Sequence, residues 1–151
     1  MRRDRRAILR GAAIASVASG VPSSAYALAR REDPVAQGVA ATRAIGTLVW
    51  PGTPGLVRGA LAHGAVSLAV GGLLGVTLPR RRSVVWGALG GVTIGWVNLA
   101  VIAPRRYPAI ASLPLRPQLA DNAAFGAIFA ATVGDRRAPI SCHAAISGRG
   151  R

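Results

Sequence analysis

Lysine is absent from this chain, acidic residues number five against nineteen arginines, and cysteine occurs once. The lone Cys142 excludes an internal disulfide and leaves the redox compartment unreadable. Its neighbour His143 makes half a zinc ligand set at most, in a tail without the second pair such a site needs. A formal charge of +14 would direct a soluble chain towards nucleic acid. Here, however, the charge is all Arg, in a sequence as rich in Ala, Gly and Pro as a GC-rich genome encodes, and it clusters at the ends of apolar runs, where lipid head groups favour it. Nucleic acid is therefore not an expected partner. With 151 residues there is also no room for a catalytic domain outside a bilayer, so no enzymatic activity, cofactor or metal site is expected.

What the chain does have is two long apolar runs. Gly59 to Leu78 and Ser83 to Ala103 each hold about 20 residues without Asp, Glu or Arg, enough at about 1.5 Å per residue to cross a hydrocarbon core of roughly 30 Å. Their only strongly polar side chains are His63 and Asn98, so they lack the polar stripe of a soluble helix. Pro79-Arg80-Arg81-Arg82 connects them. The expected fold is an all-α membrane protein built on an antiparallel transmembrane hairpin, with a third spanning helix near residues 117–134 and a weak helix at the N-terminus.

In chain order, residues 1–29 look like a targeting segment or weak anchor. Arg5-Arg6-Ala7-Ile8-Leu9-Arg10 resembles the twin-arginine export motif, with Asp4 in place of the usual hydroxyl residue and Ile8 in place of the common Phe; Ala27-Leu28-Ala29 has the small residues a signal peptidase reads. Cleavage, retention as a weak helix and a misplaced start codon remain open readings. Residues 30–58 open on a charged break. Asp33-Pro34 then signals a helix start, and the helix to Trp50 is moderately apolar and suits the membrane interface, before Pro51-Gly52-Thr53-Pro54-Gly55 forces a turn. Residues 59–134 form the transmembrane domain, and the basic tail 135–151 has the composition of a disordered segment.

Orientation by arginine count gives the same answer for two topologies. Whether or not the N-terminal segment spans, twelve arginines fall on one side and seven on the other. The density of Arg80-Arg81-Arg82 in the shortest loop favours placing that loop in the cytoplasm.

Helix association in a bilayer depends on close backbone approach. Gly87, Gly91 and Gly95 recur every four residues on one helix, and Ser67, Gly71 and Gly75 do so on the other, which predicts a close hairpin with these six residues at the contact. In such a hairpin, residues whose numbers sum to 161 share a depth, as His63 and Asn98 do. The next helix starts on the same side with Asp121 and Asn122. A His63, Asn98, Asp121, Asn122 cluster follows, with two readings: a proton or ligand site, or polar groups that satisfy one another and fix helix register. Ser67, one turn from His63, is the only nucleophile near a base, and a serine in that setting more often bonds its own backbone.

The succession of His63 and Ser67, a Pro- and Arg-bearing turn, a glycine-rich helix with Trp86 and Asn98, a Tyr107-Pro108 loop and Pro117-Gln118-Leu119-Ala120-Asp121-Asn122 before Phe125-Gly126 resembles small bacterial integral membrane proteins of the YagU type, over residues 59–134. Asn122 stands where that pattern has histidine. The resemblance implies an inner-membrane protein with no established reaction and no cofactor. The expected role is structural or accessory, multi-pass in a bacterial plasma membrane, with the lipid bilayer and a second copy or larger membrane complex as partners; the alternative is a proton- or small-solute-linked transport component.

Overall fold

The structure, a computed structural model, describes residues 4–79, 81 and 83–134. Among them the secondary structure is helical throughout. The N-terminal segment forms α1 (Arg5–Ala18) and α2 (Val21–Ala29). Asp4 starts α1, its carboxylate accepting the Arg6 amide at 3.1 Å. The break between the two helices traces to Pro22, which has no amide hydrogen and whose ring would strike the Ala18 carbonyl of a continuous helix. Arg31, at φ 59°, ends α2 in a Schellman turn in which the Arg31 amide donates to Leu28 O and the Glu32 amide to Ala27 O. Asp33 then caps α3 (Pro34–Ile45) by accepting the Val35 amide at 2.8 Å. At 12 residues α3 is about 18 Å long, too short to cross a bilayer.

A short 3-10 turn, Gly46–Leu48, leads through Gly52 at φ 83° into α4 (Leu56–Thr77). Then come α5 (Ser83–Trp96), a π-helical stretch Val97–Ile102 and α6 (Ala103–Arg106), which together make one continuous helix. Pro104 accounts for the wide turn. The proline ring cannot sit on the Ala100 carbonyl in α geometry, so the Ala103 amide bonds instead to Asn98 O, five residues back. The Arg105 guanidinium reaches back along the stretch and donates to Val101 O at 2.6 Å. After α7 (Pro108–Ala111), the chain ends its described part with α8 (Leu115–Gly134). The expectation for the tail, including Cys142 and His143, lies outside the described residues.

Three helices are long and apolar enough to cross a membrane: Arg5–Ala29, Leu56–Thr77 and Ser83–Arg106. The N-terminal segment, expected to be weak, is one of them. The last helix, expected as the third span, is not; Asp121, Asn122 and Gln118 lower its hydropathy. Its position explains how it tolerates them, since α8 lies between α1 and α5 and buries Phe125, Gly126, Phe129 and Ala130 against them.

The two small-residue rows are buried, but not against each other. Gly87, Gly91 and Gly95 face α8. A Cβ on Gly87 would collide with the Gly126 carbonyl, one on Gly126 with the Gly87 carbonyl, and one on Gly91 with the Asn122 carbonyl. The backbones of α5 and α8 therefore touch, in opposite senses, from Ser83 beside Gly134 to Gly95 beside Asn122. Gly71 and Gly75 face α1, where a Cβ would come within 2.8 Å of Ala12 Cβ and of Ile8 Cδ1 respectively. The expected glycine-to-glycine hairpin is thus replaced by two contacts to other helices, because α1 and α8 compete for the same flat faces. Between α4 and α5 remains only side-chain approach, with Leu74 Cδ2 3.0 Å from where a Gly90 Cβ would be.

The core is small-residue and aromatic. Ala12, Ala15 and Leu74 surround Phe125 and Phe129, whose rings lie parallel with centroids 6.4 Å apart, and Phe129 is wholly enclosed. Phe129→Ala should cost about 3–5 kcal/mol, read from thermal unfolding in detergent. Gly126→Leu and Gly91→Leu should abolish the folded form, whereas Gly64→Leu and Gly72→Leu, with open space around the new Cβ, should unfold like the parent. A chain starting at Arg30 lacks Ile8, Ala12 and Ala15 over α4 and Phe129, and should be recovered aggregated or degraded; recovery as a monodisperse species would show that α1 and α2 are dispensable.

Candidate functional site

The polar residues gather at the break in the N-terminal helix. Ser16 lies in the last turn of α1 and Ser23 in the first turn of α2, positions whose carbonyl and amide have no partner within their own helix. Each finds one on another helix. His63 Nε2, carrying the ring hydrogen, donates to Ser16 O at 3.1 Å, and Asp121 Oδ1 accepts the Ser23 amide at 2.9 Å. The break closes on itself as well, because the Ser23 and Ser24 hydroxyls both donate to Gly20 O, at 3.0 and 2.9 Å. Asp121 thus sits at the N-terminal end of α2, where the helix dipole favours an anion. His63 and Asp121 are both half-buried, one on each side of the break.

Of the four expected cluster residues, His63 and Asp121 serve the same helix break, His63 at Ser16 of α1 and Asp121 at Ser23 of α2. Asn122 is adjacent in sequence but serves a different contact. Its Nδ2 donates to Gln118 O at 2.8 Å, and its side chain covers Gly95, within 2.8 Å of where a Cβ would be. Asn98 stays outside: it is exposed on the π-helical stretch, and its equal depth with His63 has no consequence once α4 and α5 pack on different helices. Ser67 is buried one turn from His63, facing the interior of the bundle.

Ser16, Pro22 and Ser23 were not among the expected site residues. The signal for them was Pro22, a helix breaker inside an apolar run, which obliges the chain to find partners for the freed backbone groups. His63 and Asp121 are the side chains that meet this need. Chemically, the arrangement is a pair of caps, one donor and one acceptor, with two ionisable groups near each other; among the described residues no three His, Cys, Asp or Glu side chains converge as a metal site would require.

Capping and proton chemistry separate in a mutant cycle. Asp121→Ala strands the Ser23 amide and should cost about 1–3 kcal/mol of stability, while Asp121→Asn, which keeps an acceptor oxygen, should cost less. Pro22→Ala lets α1 and α2 join, so in that background the cost of Asp121→Ala should shrink; an unchanged cost would mean that Asp121 matters for something other than the break. No family model matches the chain, and no curated protein or solved structure is similar to it.

Proposed function

We propose that this chain is a small multi-pass protein of a bacterial plasma membrane with a structural or accessory, non-enzymatic role. One observation carries the membrane reading: large aliphatic side chains point outward and small ones inward. Val57, Leu61 and Val76 are 74%, 69% and 77% exposed, while Ala12, Ala15 and Ala130 are fully buried. In water, a surface so apolar over three helices would drive association, and packing built on Ala and Gly bury too little area to resist it. In hydrocarbon the same distribution is favourable, since only close packing holds helices together there.

The contacts support a finer arrangement. Ile8 lies at Gly75 and Ser83 at Gly134, so the N-terminus, the α4–α5 connection and the end of α8 share one side of the bundle. On this reading α4 and α5 form an antiparallel, splayed hairpin, and α8 is a fourth membrane-embedded segment shielded by its neighbours. Counted along the sequence on this reading, the N-terminal side of the four segments is flanked by twelve arginines and the other side by seven, which favours the cytoplasm for the first. Reporter fusions after Arg31, Arg82, Ala111 and Arg137 test this: Arg82 and Arg137 should report cytoplasmic, Arg31 and Ala111 external. Arg31 and Arg82 on the same side would overturn the four-segment reading.

A second reading keeps proton- or solute-linked transport, favoured by two half-buried ionisable side chains, His63 and Asp121, at one helix break. In sealed vesicles holding a pH-sensitive dye, such transport requires a proton flux that His63→Gln abolishes; capping alone requires none.

A further inference from the structure

Resting on the membrane reading, we infer that the cleft between α4 and α5 is a binding site for the acyl chain of an anionic phospholipid, with Arg81 at the phosphate. The cleft exists because both helices give their flat faces to other partners. It measures about 380 Å³ and is almost wholly apolar, with Leu73, Leu74 and Leu78 on one wall and Trp86, Leu89 and Ile94 on the other. Small side chains at Gly90 and Thr93 keep it open. An acyl chain is the occupant that matches this lining: flexible, apolar and present at every lipid-facing gap.

Charge selects the head group. Pro79, at the end of the cleft, leads directly into the connection that holds Arg81, which is exposed. Arg5, Arg6 and Arg10 are exposed on the first turns of α1, the end that Ile8 fastens to Gly75 of α4. The acidic residue described at this end is Asp4, already engaged with the Arg6 amide. Trp86, one turn into α5, is 52% exposed at the level where aromatic rings meet head groups. An anionic phosphate placed at this end of the cleft meets the charge of Arg81, and Arg5, Arg6 and Arg10 add to the positive field at the same end of the bundle. Each arginine near an anionic lipid surface should contribute about a fivefold preference over a zwitterionic one.

Tryptophan quenching tests this in phosphatidylcholine vesicles containing a small fraction of lipid brominated on its acyl chains. Trp86 is read alone in a Trp50→Phe, Trp96→Phe background, and Trp96, on the same long helix away from the cleft, is read alone as the insertion control. Brominated phosphatidylglycerol should quench Trp86 several-fold more than brominated phosphatidylcholine, with no such difference at Trp96. Arg81→Gln should reduce the difference about fivefold, whereas Arg116→Gln at the opposite end should not. Gly90→Leu, whose new side chain enters the cleft beside Leu74 Cδ2 and lies on a different face from Trp96, should remove Trp86 quenching by both lipids and leave Trp96 unaffected. Equal quenching of Trp86 by the two lipids would overturn the anionic site. Quenching of Trp96 but not Trp86 would mean that protein covers the cleft, and would also overturn it. If neither tryptophan is quenched, the membrane reading itself fails.

Discussion

Everything in this structure depends on how closely the backbones of α5 and α8 approach. In hydrocarbon a leucine gains nothing by leaving lipid for another leucine, so helices hold together only where they exclude lipid through close contact. Gly87 and Gly126 remove the side chains at the crossing, and each glycine sits against the other's carbonyl. That contact fixes α8 in the bundle despite its modest hydropathy. With α8 in place, Phe129 supplies the bulk around which α1 and α4 close, through Ala12 and Gly71. The order of dependence thus runs from two glycines to one phenylalanine to the N-terminal helix.

The second constraint is that a broken helix in a bilayer must have its loose backbone groups satisfied by protein. Pro22 creates the break, and the residues that answer it are the two most polar side chains the neighbouring helices present there, His63 and Asp121. This makes sense of two ionisable side chains in a bundle whose interior is mostly Ala, Gly and Phe. It also ties three helices at one depth, since α4 and α8 each hold one side of the break. Register, which small-residue packing specifies weakly because one glycine row resembles another, is set here by directional bonds.

How much of this was legible beforehand differs by level. The two apolar runs, the turn between them, the capping Asp33 and the buried glycine rows could all be read from residue type and spacing. The partners of the rows could not. Gly71 and Gly91 are flat surfaces, and a flat surface records that something packs there without recording what. Choosing α5 for α4 followed from sequence adjacency alone, and two more distant helices offered better fits: Ala12 and Ile8 on α1, Gly126 on α8. Asn98 failed for the same reason, its predicted place in the cluster being inherited from the hairpin. His63 and Asp121 serve the same break through Ser16 and Ser23 and not as a pair, because an unpaired backbone group inside a helical bundle is what most needs a partner.

The N-terminal segment shows how one stretch can satisfy two descriptions. Its paired arginines and apolar run resemble an export motif, yet the two positions that depart from the motif are ones the fold uses. Asp4, where a hydroxyl residue is usual, caps α1 with its carboxylate. Ile8, where an aromatic is common, fits its branched side chain over Gly75, and a planar ring there would hold α1 away from α4. Ala12 and Ala15 continue the same face one and two turns on, both fully enclosed. The match on Gly71, Gly75 and Phe129 closes the α1 face of α4 and leaves the cleft between α4 and α5 as the open one.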